Sequence, residues 1–250
     1  MEWSQYPSTL LAATRGYRVP GRPAAVRGAW GRWIAANHPT ASWFASGRRL
    51  RPYRLVDAPA ESSILWTLPI ADDLVPGFLD SQGWPRIPVS MPAQPLARQA
   101  NALSLFVSTP IVASRHAPRN HWGFQPPSPD WLPGLLGHHL SRLVKCYLDP
   151  SWVPQTPTVS PAVLVEADGQ ILRVRHRSTH SPGVFSGDGW VGFALWQTPQ
   201  DWMATWLPWF HAGNVWGVGS GTPWGHGQFT ADPVVMHPKH LAPEVIASWP

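Results

Sequence analysis

The sequence predicts an α+β fold on the ferredoxin-like (RRM-like) pattern, and three observations carry that expectation. Near the C-terminus a strand, a helix, a glycine-rich loop and a second strand follow one another, which is the second half of a ferredoxin-like unit. Each half of the chain offers strands around one helix, so the two halves can be two such modules. Between them lies a proline-dense stretch with one clear helix, expected as a partly helical insertion.

In chain order, residues 3–14 read as an opening strand and Gly16 to Pro23 as a loop rich in Gly, Pro and Arg. A short helix from Ala24 to Asn37 follows, with Trp30, Trp33 and Ile34 on one face. Pro39 should end it, because proline disfavours helical geometry in the residue before it. Leu50–Val56 and Ser63–Ile70 are strand-like. Residues 71–160 are expected to be an irregular insertion completing the first module, holding a helix at Leu135–Leu148 with the apolar stripe Leu136, Leu140, Leu143, Val144 and Tyr147. From residue 161 a C-terminal module begins. Ala162–Ala167 and Gln170–Arg177 read as strands, with Asp168-Gly169 between them as a hairpin signal. Trp190–Trp196 is a further strand. Pro199 opens a helix through about His211, since proline suits a first turn. The loop Gly213–Gly227 and a short strand at Gln228–Thr230 close the pattern.

Composition narrows the function. Hydrophobic residues make up 44% of the 250 residues and charged residues only 13%, so the chain has ample material for a core and is not disordered. Thirty prolines predict many loops and short elements. The net charge is +5, and lysine occurs only at Lys145 and Lys239, so the basic residues are almost all arginine. Arg15, Arg18, Arg22, Arg27, Arg32, Arg48, Arg49, Arg51 and Arg54 fall in the first 54 residues, where Glu2 is the only acid. Such a field attracts polyanions, and guanidinium forks match phosphate in a bidentate way. A GC-rich genome explains arginine over lysine, but not the near absence of acids here. Nucleic acid is the expected partner.

Cys146 is the single cysteine, which excludes an internal disulfide and a cysteine-based zinc site. Apolar runs such as Ile64 to Ile70 are far shorter than the roughly 20 residues a membrane span needs. The N-terminus lacks the pattern of a signal peptide. A cytoplasmic protein without membrane contact is expected.

The strongest local signal is Gly217-Val-Gly-Ser-Gly-Thr-Pro-Trp-Gly-His-Gly227, five glycines in eleven residues. Glycine permits positive φ and close backbone approach, and successive inward N–H groups can cradle phosphate. A plain surface turn would not need Thr222 or Trp224 at fixed places. A Walker loop needs a lysine that is absent, and a Rossmann fingerprint leads into a helix, whereas Pro223 and a strand follow here.

Gly189-Trp-Val-Gly-Phe-Ala, the Trp-rich helix and this glycine loop together resemble the C-terminal signature of the RAMP-superfamily endoribonucleases that process CRISPR repeat RNA. Arg27-Gly-Ala-Trp-Gly-Arg-Trp resembles the start of the first helix in the same family. The resemblance covers about 60 residues at the C-terminal end and about 20 near the N-terminus. The compact length and arginine excess are similar to the small variant of type IV systems. The resemblance implies a pair of ferredoxin-like folds gripping the stem-loop of a CRISPR precursor RNA and the mature guide RNA, with other effector-complex subunits as further partners. It implies metal-independent cleavage, without a cofactor, by attack of a ribose 2′-OH on the adjacent phosphorus. That chemistry asks for a base, cations for the phosphorane charge and an acid for the leaving oxygen.

His38, just past the first helix where family members often place a histidine, is the candidate for proton transfer. The alternative is a helix-end histidine that merely meets the dipole. Arg22, Arg27 and Arg32 are candidates for charge stabilisation. Arg48, Arg49, Arg51 and Arg54 suit phosphate positioning, and Arg142 and Lys145 on the middle helix join them as RNA contacts. Gly217, Gly219, Ser220, Gly221, Thr222, Gly225, His226 and Gly227 form the expected cradle. Tyr17 and Tyr53 are lesser acid or base candidates. His176 and His180 have zinc-like spacing without a second ligand pair, so no metal site is expected. Trp30, Trp33, Trp206 and Trp209 read as core, and Trp122 and Trp224 as possible base-stacking residues. Asp72-Asp73 reads as a solvated turn. A non-catalytic RAMP subunit holding the guide RNA is the alternative function, and a Trp-rich protein adaptor is a third.

Overall fold

The computed structural model describes residues 5–41, 50–94, 99–112, 126–152, 158–177, 184–219, 222 and 225–236. Its elements are α1 (Gln5–Ala13), β1 (Arg15–Pro20), α2 (Pro23–Asn37), β2 (Tyr53–Ala58), β3 (Ser62–Thr67), α3 (Pro69–Asp72), α4 (Val75–Ser81), β4 (Ile87–Pro88), β5 (Ala102–Val112), α5 (Leu132–Tyr147), β6 (Val163–Arg177), β7 (Val184–Gln197), α6 (Gln200–Trp216) and β8 (Phe229–Val234). They form two four-stranded antiparallel sheets, ordered β2-β3-β1-β4 and β6-β7-β5-β8. Each sheet has the two strands that follow its first helix on one side and its last strand on the other. This is the ferredoxin-like arrangement, occurring twice.

The first sheet packs α2 and α4 on one face. Val26, Trp30 and Ile34 of α2 meet Val19, Tyr53, Leu55, Leu65, Phe78 and Leu79 in one core. Trp30 packs edge-on against Phe78 with ring centroids 4.7 Å apart. Alternation along the strands turns Val56 and Trp66 to the opposite face, where they join the larger core built by the second sheet with α1, α5 and α6. The two modules therefore share apolar packing through the back of β2 and β3. Trp206 and Trp209 are buried in that second core, as expected of core tryptophans.

Four sequence expectations change. Within the expected strand 3–14, Gln5–Ala13 is helix instead: α1 buries Tyr6 and Leu10 at helical spacing, and Pro7 sits in its first turn, where proline is tolerated. The expected loop Gly16–Pro23 is largely strand β1. Gly16 stands opposite Trp66, and a Cβ there would lie 2.3 Å from the Trp66 ring, so this glycine makes room for an indole rather than a turn. Asp168-Gly169 does not turn the chain. β6 runs straight through it, pairing Asp168 with Phe193 and Gly169 with Gly192, and the ladder overrides local turn chemistry. Gly213 lies inside α6 rather than in a loop, because Leu136 and Phe229 crowd that point of the helix and a side chain would strike both.

The stretch 71–160 is divided between the sheets. It supplies β4 to the first, and β5 and α5 to the second, with β5 an inner strand. The helix expected at Leu135–Leu148 starts three residues earlier, with Pro133 in its first turn, and buries the expected stripe residues Leu136, Leu140, Leu143 and Val144.

Candidate functional site

Arg54 decides the geometry where the modules meet. Tyr53 and Leu55 face α2, so alternation turns Arg54 towards the second module. It is only 1% exposed, and its Nη1 donates to the Val215 carbonyl at 2.8 Å, near the C-terminal end of α6. That helix end carries partial negative charge and suits a cation. Burial pushes the guanidinium pKa down to about 9, which leaves it charged at neutral pH. The expectation that Arg54 positions phosphate at the surface is corrected: it is an internal strut between β2 and α6.

Other basic side chains lie near this strut. His139 of α5 is driven down to about 3, first by burial and then by positive Arg54, Arg142 and His138. Arg51 is lowered by burial, with Arg27 adding to the effect. The phenol of Tyr53 is fully buried and raised by that burial, against the pull of Arg27 and Arg51. Tyr147, at the end of α5, donates to the Leu50 carbonyl at 3.0 Å and ties α5 to the approach of β2. Two basic groups thus form: Arg27 of α2 with Arg51, just before β2, beside Tyr53, and Arg54 of β2 with His139 and Arg142 of α5. Arginine side chains placed near the junction favour an anionic partner.

The glycine loop closes over the same junction. Gly217 has φ +66°, and a Cβ there would lie 2.4 Å from Arg54 Cζ. Gly225 has φ +88° and stands against the Leu55 carbonyl and Pro23, at the start of α2. Gly219 leaves no room above the Val112 carbonyl, and Gly227 none above the Val218 carbonyl. These glycines are demanded by packing and left-handed backbone. The N–H groups of Gly217, Val218, Gly225 and Gly227 donate to Gly213, Gly227, Thr222 and Pro110 within the protein. They do not point outward as a phosphate cradle would require. Thr222 is buried and His226 half-buried, while Ser220, Gly221 and Trp224 lie outside the described residues.

The remaining candidates are more scattered. His38 caps the C-terminal end of α2, its N–H donating to the Ile34 carbonyl, and its ring sits 5.0 Å from that of Trp33. Arg22 caps the opposite end of α2 and pairs with exposed Glu61 at 3.2 Å. At about 1.5 Å per helical residue the two are roughly 24 Å apart along the axis. The fold therefore does not bring His38 and Arg22 into one site. Arg32 is exposed on α2, and Arg142 and Lys145 are exposed on α5. Arg48, Arg49, Trp122, His180 and the side chain of His176 lie outside the described residues. Tyr17 donates to Asp72 Oδ1 at 2.9 Å, and burial together with that bond raises it to about 12, unsuited to a base near neutrality. Asp72 also accepts from Thr67, so it anchors β1 and β3 rather than forming a solvated turn. Among the described residues no three His, Cys, Asp or Glu side chains gather as a metal site, and no helix is long and apolar enough to cross a membrane.

No protein-family model and no curated protein matches this sequence. Solved structures do: a Cas6 product complex aligns with a TM-score of 0.57, covering 88% of this chain and 99% of that one at 16% identity. The chain has the Cas6 fold. Thermus thermophilus Cas6 aligns at TM-score 0.51 and 18% identity, over 87% of this chain and 97% of that one. A partial Cas6-RT-Cas1–Cas2 complex aligns at TM-score 0.55 and 11% identity, covering 90% of this chain but 46% of that one. At these identities the likeness is one of fold.

Within this Cas6 fold, sequence reasoning missed His139 and Tyr147 as partners of the arginines. One signal for His139 was available. It lies three residues from both Leu136 and Arg142, on the border between the buried stripe and the basic face.

Proposed function

We propose that this chain binds the stem-loop of CRISPR repeat RNA and cleaves precursor RNA into guide RNAs by metal-independent attack of a 2′-OH. The observation that carries the reading is the Cas6 fold, aligned over 88% of this chain and nearly the whole of a Cas6 solved as a product complex. Arg51 before β2 and exposed Arg142 on α5 support an RNA backbone as the ligand. His38 moves a proton at the cleavage site, and Arg27 and Arg32 on the same helix stabilise the phosphorane charge, with Arg22 at its far end as a further candidate. Arg51, Arg142 and Lys145 hold the backbone, joined by Arg48 and Arg49. Where a glycine loop touches RNA, it does so through Gly219, Ser220, Gly221 and His226 rather than through the inward N–H groups.

A second reading is a non-catalytic subunit that retains the guide RNA within a larger CRISPR assembly. The observations behind that reading are the distance of His38 from Arg22 and the packing of its ring on Trp33. One experiment separates the two. Purified protein is mixed with a 5′-labelled repeat hairpin in EDTA, and products are resolved by size and end group. Cleavage on the 3′ side of the stem, leaving a cyclic phosphate, supports the enzyme. Tight binding without cleavage supports the subunit.

A further inference from the structure

The second sheet has an open face, away from α5 and α6, that nothing above uses. On β5, Leu103, Leu105 and Val107 are buried against the helices, so Ser104, Phe106 and Ser108 project the other way. Phe106 is 56% exposed, an unusual position for a phenyl ring in the middle of an inner strand. Its register partner on β7 is Phe193, flanked by buried Ala194 and therefore on the same face. The two inner strands thus present adjacent aromatic positions.

Beside Phe106 the face is hollowed. A groove of about 480 Å³ is lined by Phe106, Ser108, Asp168, Gly169, Gln170 and Gly192, a volume within the range of small-ligand sites. Two paired glycines lie along its lining: Gly192 has φ +140°, and a Cβ there would strike the Asp168 carbonyl, while one on Gly169 would strike the Val191 carbonyl and the buried Trp190 ring. Polar Ser108, Asp168 and Gln170 stand beside this backbone. Asp168 has its register partner in Phe193, which places its carboxylate on the aromatic side. It makes no hydrogen bond among the described residues.

We propose that this groove takes one unstacked base of single-stranded RNA flanking the hairpin, with guanine preferred. The base lies on the Phe106 ring, since every base offers a π-face to an aromatic platform. The Asp168 carboxylate is acceptor-only and matches the adjacent N1–H and N2–H donors of guanine, whereas uracil offers a single N–H. Acidic Glu166 and Asp232 share this face through their pairing with Leu195 and Ser104. They repel phosphate, so the site reads a base and leaves the backbone to the basic junction. The proposal rests on RNA binding as read above.

The test measures affinity by fluorescence anisotropy for two RNAs, the bare repeat hairpin and the same hairpin with a single-stranded G-containing flank. Phe106→Ala should weaken the flanked RNA by at least about fivefold, the lower end expected for loss of one stacking partner. It should leave the bare hairpin unchanged, and Phe106→Trp should restore the flanked affinity. Asp168→Asn should erase the preference for a G-containing over a U-containing flank. If Phe106→Ala binds the flanked RNA like the wild type, the groove is not a base site, although the hairpin reading stands. An altered sedimentation coefficient for Phe106→Ala with unchanged RNA affinity would assign the face to a protein contact and overturn the proposal. If the wild type binds neither RNA, both readings fall.

Discussion

Gly217 and Arg54 fit together as a single joint: the glycine Cα lies over the guanidinium, and even a methyl group would fall 2.4 Å from Cζ. The joint links α6 of the second module to β2 of the first, because the same guanidinium holds the Val215 carbonyl. Gly217→Ala must therefore both strain a φ of +66° and displace a buried cation. We expect a loss of stability of about 2–4 kcal/mol, combining backbone strain with an overpacked contact. Urea unfolding of Gly217→Ala beside Gly134→Ala, a glycine with open space around it, checks this. Equal midpoints would mean the loop yields easily.

His139 makes stability depend on pH in a defined window. Its folded pKa, about 3, lies below the ordinary histidine value of 6.5. Between those values the unfolded chain binds the extra proton and the folded chain does not, so stability rises with pH across the window and is lost as pH falls from about 6.5 towards 3. Carboxylates titrate in the same range, so the readout is a difference. His139→Gln should lose less stability than wild type on going from pH 6.5 to pH 5, by up to about 2 kcal/mol. Parallel stability curves would place the imidazole in water.

The basic junction should be visible as salt dependence. Each phosphate contact removed lowers the log–log slope of RNA affinity against salt by roughly 0.7–0.9. Arg51→Ala combined with Arg142→Ala should therefore flatten the slope by about 1.5 and weaken all RNA sequences alike. Arg54→Met should change the slope little, because a buried strut touches no phosphate. A slope change from Arg54→Met as large as from Arg51→Ala would put Arg54 on the RNA.

Proton transfer and charge stabilisation separate kinetically. His38→Ala should slow single-turnover cleavage by roughly 10²–10⁴-fold with affinity nearly unchanged. Arg27→Ala and Arg32→Ala should depress the rate more than the affinity if they act on the phosphorane, because such contacts strengthen in the transition state. A wild-type rate from His38→Ala returns His38 to capping α2 beside Trp33.

Local signals in the sequence determined a good deal about this protein. The 3.6-residue stripes of α2 and α5, the strand at Trp190–Trp196 and the proline opening α6 are each written within a dozen residues, so their periodicity was legible. So were the concentration of arginine in the first 54 residues and the density of glycine near the C-terminus. Tertiary structure decided what those residues do. Asp168-Gly169 has the chemistry of a turn, yet β7 offers a continuous ladder partner and the chain stays extended. Gly16 looks like loop punctuation until the Trp66 indole, fifty residues away, is placed over it. Arg54 belongs by sequence to an exposed basic run, but which face of β2 meets α6 depends on how two sheets pack across a shared core. A strand's alternation says that one side is buried, and only the packing of distant elements says which side.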